Sequence, residues 1–467
     1  MHYIDGMSGI FSKKLFLVPL FLVCMVIAAL STPSYAQSGI TIVRDTEIEN
    51  ILRSWSEPVI KAADLDPAAV NFILVQSNDI NAFVAGGPNI FIFTGLLLKS
   101  ENPGEIVGVI AHELGHIRGG HLVRTRGALE NASYENVLGT ILGIGAAVLT
   151  GNGGAGLAIA SGASSVAQNK FLAFSRVQES SADQAALDYM ERAALNPEGL
   201  VTFMQKLGAQ ELLPASQQTE YVRTHPLTSN RVNALKGGLE RSQYSDKKYP
   251  AEWNEQHKRI NAKLLAFISP QNVEWEYDAR DNSIPALYAK SIAAYRQNNI
   301  EKALTIIDRL IAMEPENPYF LELKGQMLVE FGQVPQSIPY YKKSVESAPN
   351  GSLIRIAYAH ALIETASQSK AQNQNAQFNE AIKQLERAMT DEPRSTRVHR
   401  LLASAYGRLG NDAIAKLHLA EEALLKRELP YAERQAKIAL ETLEPGTPQY
   451  IRAKDILSFI EQEQKKS

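Results

Sequence analysis

The chain is nearly without cysteine. Its 467 residues contain one, Cys24, inside an apolar leader, so the rest can have neither a disulfide framework nor a cysteine-ligated metal. It has no charge excess: 47 Lys and Arg stand against 50 Asp and Glu, a net −3. That balance argues against a nucleic-acid partner and against a disordered acidic tail. Beyond the leader it lacks long apolar runs. The stretches 137–149 and 157–167, separated by the glycine-rich segment 150–156, are each too short to span a bilayer. They predict a helical hairpin packed through small residues, as core or as a flap, with peripheral contact to a membrane surface as the alternative.

The leader itself has Lys13 and Lys14, an apolar run over 15–30 and the small-residue ending Ser34-Tyr35-Ala36. It reads as a signal peptide through residue 36, with an uncleaved anchor as the alternative. Export to a bacterial periplasm is the expected address.

The stretch that organises the rest is His112-Glu113-Leu114-Gly115-His116. Apolar flanks (Ile106, Val107, Ile110, Ile117) predict a helix over about 104–121. On a helix, positions i and i+4 share a face, so the two imidazoles can reach one ion while Glu113 stands beside it as general base. Zinc suits two neutral imidazoles, one ion per chain, but needs a third protein ligand. A second predicted helix, about 176–193, carries Glu179 and Asp183 at the same i, i+4 spacing. Glu179 is the candidate third ligand, and Asp183 the acceptor for the far ring N–H of a ligating histidine. His121 falls one residue short of the third histidine in the H-E-x-x-H-x-x-G-x-x-H pattern and reads as a helix-end residue. His225, in Thr224-His225-Pro226 and followed by Arg231, is held extended by the proline. It can stabilise an oxyanion or fill the fourth metal position, and the second role would make a latent enzyme.

Ahead of the motif, 70–75, 81–85 and 90–93 read as strands, with a turn at Gly86-Gly87-Pro88-Asn89. Asn81 to Ala85 is the candidate edge strand for an extended peptide.

These segments resemble the HtpX/CAAX-protease family of zinc peptidases over about 45–240. The resemblance rests on Asn81-Ala82-Phe83, His112-Glu113-Leu114-Gly115-His116, Glu179 with Asp183, and Thr224-His225-Pro226. It implies an endopeptidase of gluzincin type, with metal on His112, His116 and Glu179 and with Glu113 catalytic. Many members are integral membrane proteins. A member with an exported peptidase and trailing helical repeats implies misassembled outer-membrane proteins as substrates and the β-barrel assembly machinery as a partner.

The second half is repetitive. Pro315, Pro349 and Pro393 recur at intervals of 34 and then 44 residues, and so do Ala303, Ser337 and Ala381; Ala415 follows 34 further on. Thirty-four is the tetratricopeptide period. The extra ten residues fall in 365–379, read as a loop insertion, and 430–461 reads as a degenerate last pair or a capping helix.

The expectation is a mainly α chain: an α+β metallopeptidase domain with a small antiparallel sheet at 37–247, a junction at 248–283, and an all-α solenoid at 284–467. Its function is zinc-dependent endopeptidase, with repeats that capture polypeptide substrate or partner. The alternative is a periplasmic chaperone or scaffold whose metal site His225 keeps closed.

Overall fold

The computed structural model describes residues 41–121, 165–208, 213, 217–368 and 374–466. The leader at 1–36 and the apolar stretch over 137–164 lie outside them.

Strand β1 (Ile42–Val43) leads into helix α1 (Thr46–Ala62), whose first turn is closed by the Asp45 side chain accepting from the Ile48 N–H. Three strands follow: β2 (Asn71–Val75), β3 (Ala82–Val84) and β4 (Asn89–Phe93). Their order in the sheet is β1-β2-β4-β3, so β3 forms an edge as expected. The sheet is mixed, not antiparallel. β1 with β2 and β3 with β4 run antiparallel, but the central pair β2–β4 is parallel, Asn71 opposite Asn89 and Val75 opposite Phe93. The physical reason is the hairpin turn at Gly86 and Gly87 (φ +66° and +106°), which folds β4 back into the slot between β3 and β2. β4 is buried at every position, as a central strand paired in parallel requires.

Helix α2 (Thr94–Lys99) leads to the buried helix α3 (Pro103–Arg118), which carries the motif. Asn102 caps α3 through its side chain, Pro103 opens it, and Gly120 (φ +61°) follows its end. Helix α4 (Ser165–Arg192) crosses α3, and α5 (Glu198–Gly208), α6 (Glu220–Thr224) and α7 (Ser229–Arg241) complete this part. Gly115 sets how closely α3 and α4 meet: a Cβ there would lie 2.9 Å from the Ala182 backbone.

Helix α8 (Ala251–Ile268) belongs to two cores. Ile260 and Leu264 pack with Trp55, Ile110 and Phe203 of the first module, while Ala262 and Ala266 pack with Tyr288, Ile307 and Phe320 of the repeats. The junction is thus a shared helix. It is also ionic: buried Lys263 reaches Asp45 at 2.7 Å and Glu47 at 3.0 Å, and Glu47 accepts from the Tyr288 hydroxyl at 2.8 Å.

The repeats are helix pairs: α9 (Ile284–Arg296) with α10 (Ile300–Met313), α11 (Pro318–Glu330) with α12 (Val334–Ser347), α13 (Ser352–Gln368) with α14 (Gln374–Asp391), α15 (Thr396–Arg408) with α16 (Asp412–Leu425), and α17 (Leu429–Leu440) with α18 (Pro448–Lys466). Ala303, Ser337, Ala381 and Ala415 are all buried, where the second helix of each pair meets its neighbours. The loop expectation is corrected at 365–368 and 374–379, which are helical; 369–373 lie outside the described residues. α13 has 17 residues where α9, α11 and α15 have 13, and α14 has 18 where α10, α12 and α16 have 14. Most of the ten additional residues therefore prolong both helices, because the Ala/Gln-rich composition of 365–379 favours helix.

Candidate metal centre

Helix α3 contributes His112 and His116, one turn apart, with Nε2 atoms 3.1 Å from each other. The close approach at Gly115 brings α4 alongside, and Glu179 lies with Oε2 3.3 Å from His112 Nε2 and Oε1 3.5 Å from His116 Nε2. The chain returns through α6, whose C-terminal cap is His225. His225 Nδ1 sits 3.2 Å from Glu179 Oε2, and its Nε2 sits 3.2 Å from the Ala82 carbonyl of edge strand β3. Each of these four residues offers one ligand atom, and the four atoms lie within 4.8 Å of one another, all buried. Two imidazoles, a carboxylate and a third imidazole are a donor set suited to a divalent ion of the zinc kind.

Glu113 stands next to this group. Its Oε1 is 3.6 Å from His225 Nε2, is buried, and has no hydrogen-bond partner among the described residues. A buried carboxylate oxygen without a partner is costly unless water or ligand meets it, so the residues fit an ion with a water beside it. Burial pushes the Glu113 carboxyl up, and a carboxylate with raised proton affinity is a better base.

Asp183, one turn after Glu179, places Oδ1 3.0 Å from His112 Nδ1. On its other side it takes Arg231 of α7, Nε to Oδ2 at 2.7 Å and Nη2 to Oδ1 at 2.9 Å. Arg231 also lies 3.1 Å from Glu179 Oε2. Although burial opposes it, these partners hold the Asp183 carboxyl below its usual range. Burial works against protonation of His112 too, yet hydrogen bonds to Asp183 and Glu179 raise it to about 9. His116, with burial dominant, is well below the usual range.

The sequence-expected residues His112, Glu113, His116, Glu179, Asp183 and His225 thus converge. His121 is not among the four donors; its Nδ1 lies 2.9 Å from His116 Nδ1, behind the ring. Arg231 had no expected role. Its only signal is a place six residues after His225, in the first turn of a helix capped by Thr228.

Residues 45–238 match the model of peptidase family M48, and residues 288–352 match a tetratricopeptide repeat model. The chain is 23% identical over 303 residues to the beta-barrel assembly-enhancing protease of Yersinia pestis, covering 62% of this chain and 60% of that one. It is 23% identical over 346 residues to the protein of the same name from Escherichia coli strain K12, covering 71% and 68%. The match therefore spans less than two thirds of the first relative's length. A solved structure, MamA MSR-1 C2, overlays with a TM-score of 0.31 at 21% identity, over 37% of this chain and 96% of that one. With the motif helix, the carboxylate from α4 and these matches in place, residues 45–238 form a domain similar to peptidase family M48, and residues 288–352 are similar to tetratricopeptide repeats.

Proposed function

We propose that the chain is an exported, zinc-dependent endopeptidase that removes misassembled outer-membrane proteins, with its repeats holding substrate or the β-barrel assembly machinery. One observation carries the chemistry: His112, His116, Glu179 and His225 converge beside an unpartnered oxygen of Glu113. The address and substrate class rest on the signal-peptide reading of residues 1–36 and on relatives named beta-barrel assembly-enhancing protease. That name and the unpartnered base favour an enzyme over a scaffold with a permanently closed site.

His112, His116 and Glu179 would hold the ion, with His225 as a fourth donor at rest. When bound, zinc supplies a Lewis acid and makes water acidic at its open position. Glu113 accepts a proton from the attacking water and returns it to the leaving nitrogen. One C–N bond breaks, one C–O bond forms, and the products are a carboxylate and an amine. Edge strand β3 offers main-chain groups that hold a substrate extended. Asp183, fixed by Arg231, keeps His112 in one orientation.

For capture, a cavity of about 550 Å³ opens between residues 44–46 and the repeats. Tyr319, Glu322, Ile356, His360 and Arg397 line its repeat side and Arg44 its other side. Apolar and charged groups together suit a polypeptide segment.

The test uses the purified full chain and an unfolded β-barrel protein. The wild type carries one zinc per chain and cuts it; Glu113→Gln keeps the zinc and cuts nothing. A wild type without stoichiometric metal, or a Glu113→Gln protein that cuts equally well, overturns the reading.

A further inference from the structure

Tyr221 is built into the centre without belonging to the ligand set. It sits on α6, one turn before His225, and its backbone N–H donates to the Ile80 carbonyl at 3.0 Å, beside the edge strand. Its ring stacks on the His225 imidazole, 4.6 Å between centroids and 28° between planes. Phe203 meets the same ring edge-on at 5.5 Å. Tyr221 is fully buried, and its hydroxyl has no hydrogen-bond partner among the described residues.

A buried hydroxyl without a partner costs free energy, and phenylalanine would fill the same slot without that cost. Glu113, whose Oε1 is likewise buried and unpartnered, lies 3.6 Å from Nε2 of the same His225 ring on which Tyr221 stacks. A phenol keeps its proton at neutral pH and so offers one O–H donor. His225 is the other candidate donor here, but both its ring nitrogens already face acceptors: Glu179 on one side and the Ala82 carbonyl on the other. Tyr221 therefore supplies the uncommitted donor beside the base.

We propose that the Tyr221 hydroxyl donates a hydrogen bond to the scissile carbonyl oxygen as charge builds on it, which makes Tyr221 a catalytic residue alongside Glu113. The proposal rests on the peptidase reading above. No proton is transferred; the hydroxyl stabilises the oxyanion by orientation alone.

The experiment compares Tyr221→Phe with wild type, both zinc-loaded, on a fluorogenic peptide that the wild type cuts. Loss of one such donor lowers kcat about 100-fold, with KM and zinc content unchanged. A second readout needs no turnover: affinity for a phosphinic peptide of the same sequence, which carries a tetrahedral anionic centre, falls by a similar factor. A third uses the metal-free proteins, where Tyr221→Phe melts at or above the wild-type temperature because the unpartnered hydroxyl is gone. If kcat and phosphinic-peptide affinity stay within about twofold of wild type, the hydroxyl has no such role, while the peptidase reading stands. If Tyr221→Phe loses zinc and melts lower, Tyr221 is a packing residue and the proposal is overturned. A wild type that cuts no peptide overturns both.

Discussion

Arg231 donates to Asp183 through one edge of its guanidinium, Nε to Oδ2 at 2.7 Å and Nη2 to Oδ1 at 2.9 Å, and each of the two residues is almost wholly buried. The same arginine spends its third nitrogen on Glu179 at 3.1 Å and on the Pro226 carbonyl at 2.8 Å. It therefore joins the loop after His225 to the carboxylates of α4. Arg231→Ala leaves two buried acids uncompensated and is expected to cost about 3–5 kcal/mol of stability. It also lets His112 swing, which should weaken zinc binding about 10–100-fold. Arg231→Lys keeps the charge but not the fork and should fall between. Calorimetric zinc titration of the three proteins checks this; equal affinities would mean that Asp183 orients His112 unaided.

The approach of α4 to the motif helix gives a second expectation. A Cβ on Gly115 would sit 2.9 Å from Ala182 Cα and 2.9 Å from its carbonyl oxygen, both backbone atoms that cannot turn aside. Gly115→Val should push α4 outward, cost about 1–3 kcal/mol, and move Glu179 away from the histidines. Zinc content measured after gel filtration should drop well below one per chain while helical circular dichroism is kept.

Among the described residues, Lys263 is the cation that pairs with both Asp45 and Glu47, at 2.7 and 3.0 Å. Lys263→Met strands two acids at the seam between peptidase and repeats, for an expected loss of about 3–5 kcal/mol. Adding Glu47→Gln should restore part of it. Chemical unfolding of the single and double variants decides the point: no recovery in the double variant would show that packing along α8, not charge, secures the seam.

His257 on α8 gives the protein an acid limit. Its Nε2 lies 2.8 Å from the Ser100 hydroxyl, and burial lowers it to about 4 from 6.5. A histidine depressed in the folded state takes up its proton more readily when unfolded. Its contribution is therefore fully present above pH 6.5 and is lost as pH falls through the window from 6.5 to 4. The loss amounts to about 3 kcal/mol. His257→Gln, which can still bond Ser100, should remove this slope. Urea unfolding of the metal-free proteins at several pH values, compared as differences between variant and wild type, measures it.

Much of the centre was legible because helical spacing is a local rule. His112 and His116 share a face by arithmetic, and Glu179 and Asp183 do so on α4. What spacing cannot show is which distant side chains complete them. Arg231 lies 48 residues beyond Asp183, on a polar helix where arginine is ordinary. Tyr221 reads as one more core aromatic until its hydroxyl is seen to lack a partner. Strands β2, β3 and β4 were placed to within a residue or so, whereas β1, only two residues long, was not foreseen; the parallel pairing of β2 with β4 depends on a fold-back that alternation does not encode, and only the unbroken burial of β4 hints at it. In the repeats the period was plain. The insertion was misjudged because polar glutamine-rich sequence was equated with loop, whereas helix was cheaper there.

That prolonged pair, α13 and α14, has a geometric outcome. Four residues on each helix lift their shared end about 6 Å past the neighbouring pairs. An array of equal units gives a long guest no landmark, so it can slip by one unit and find the same footing. A crest on the third unit removes that degeneracy, so a chain laid along the array would have a single alignment relative to the end that carries His112 and His116.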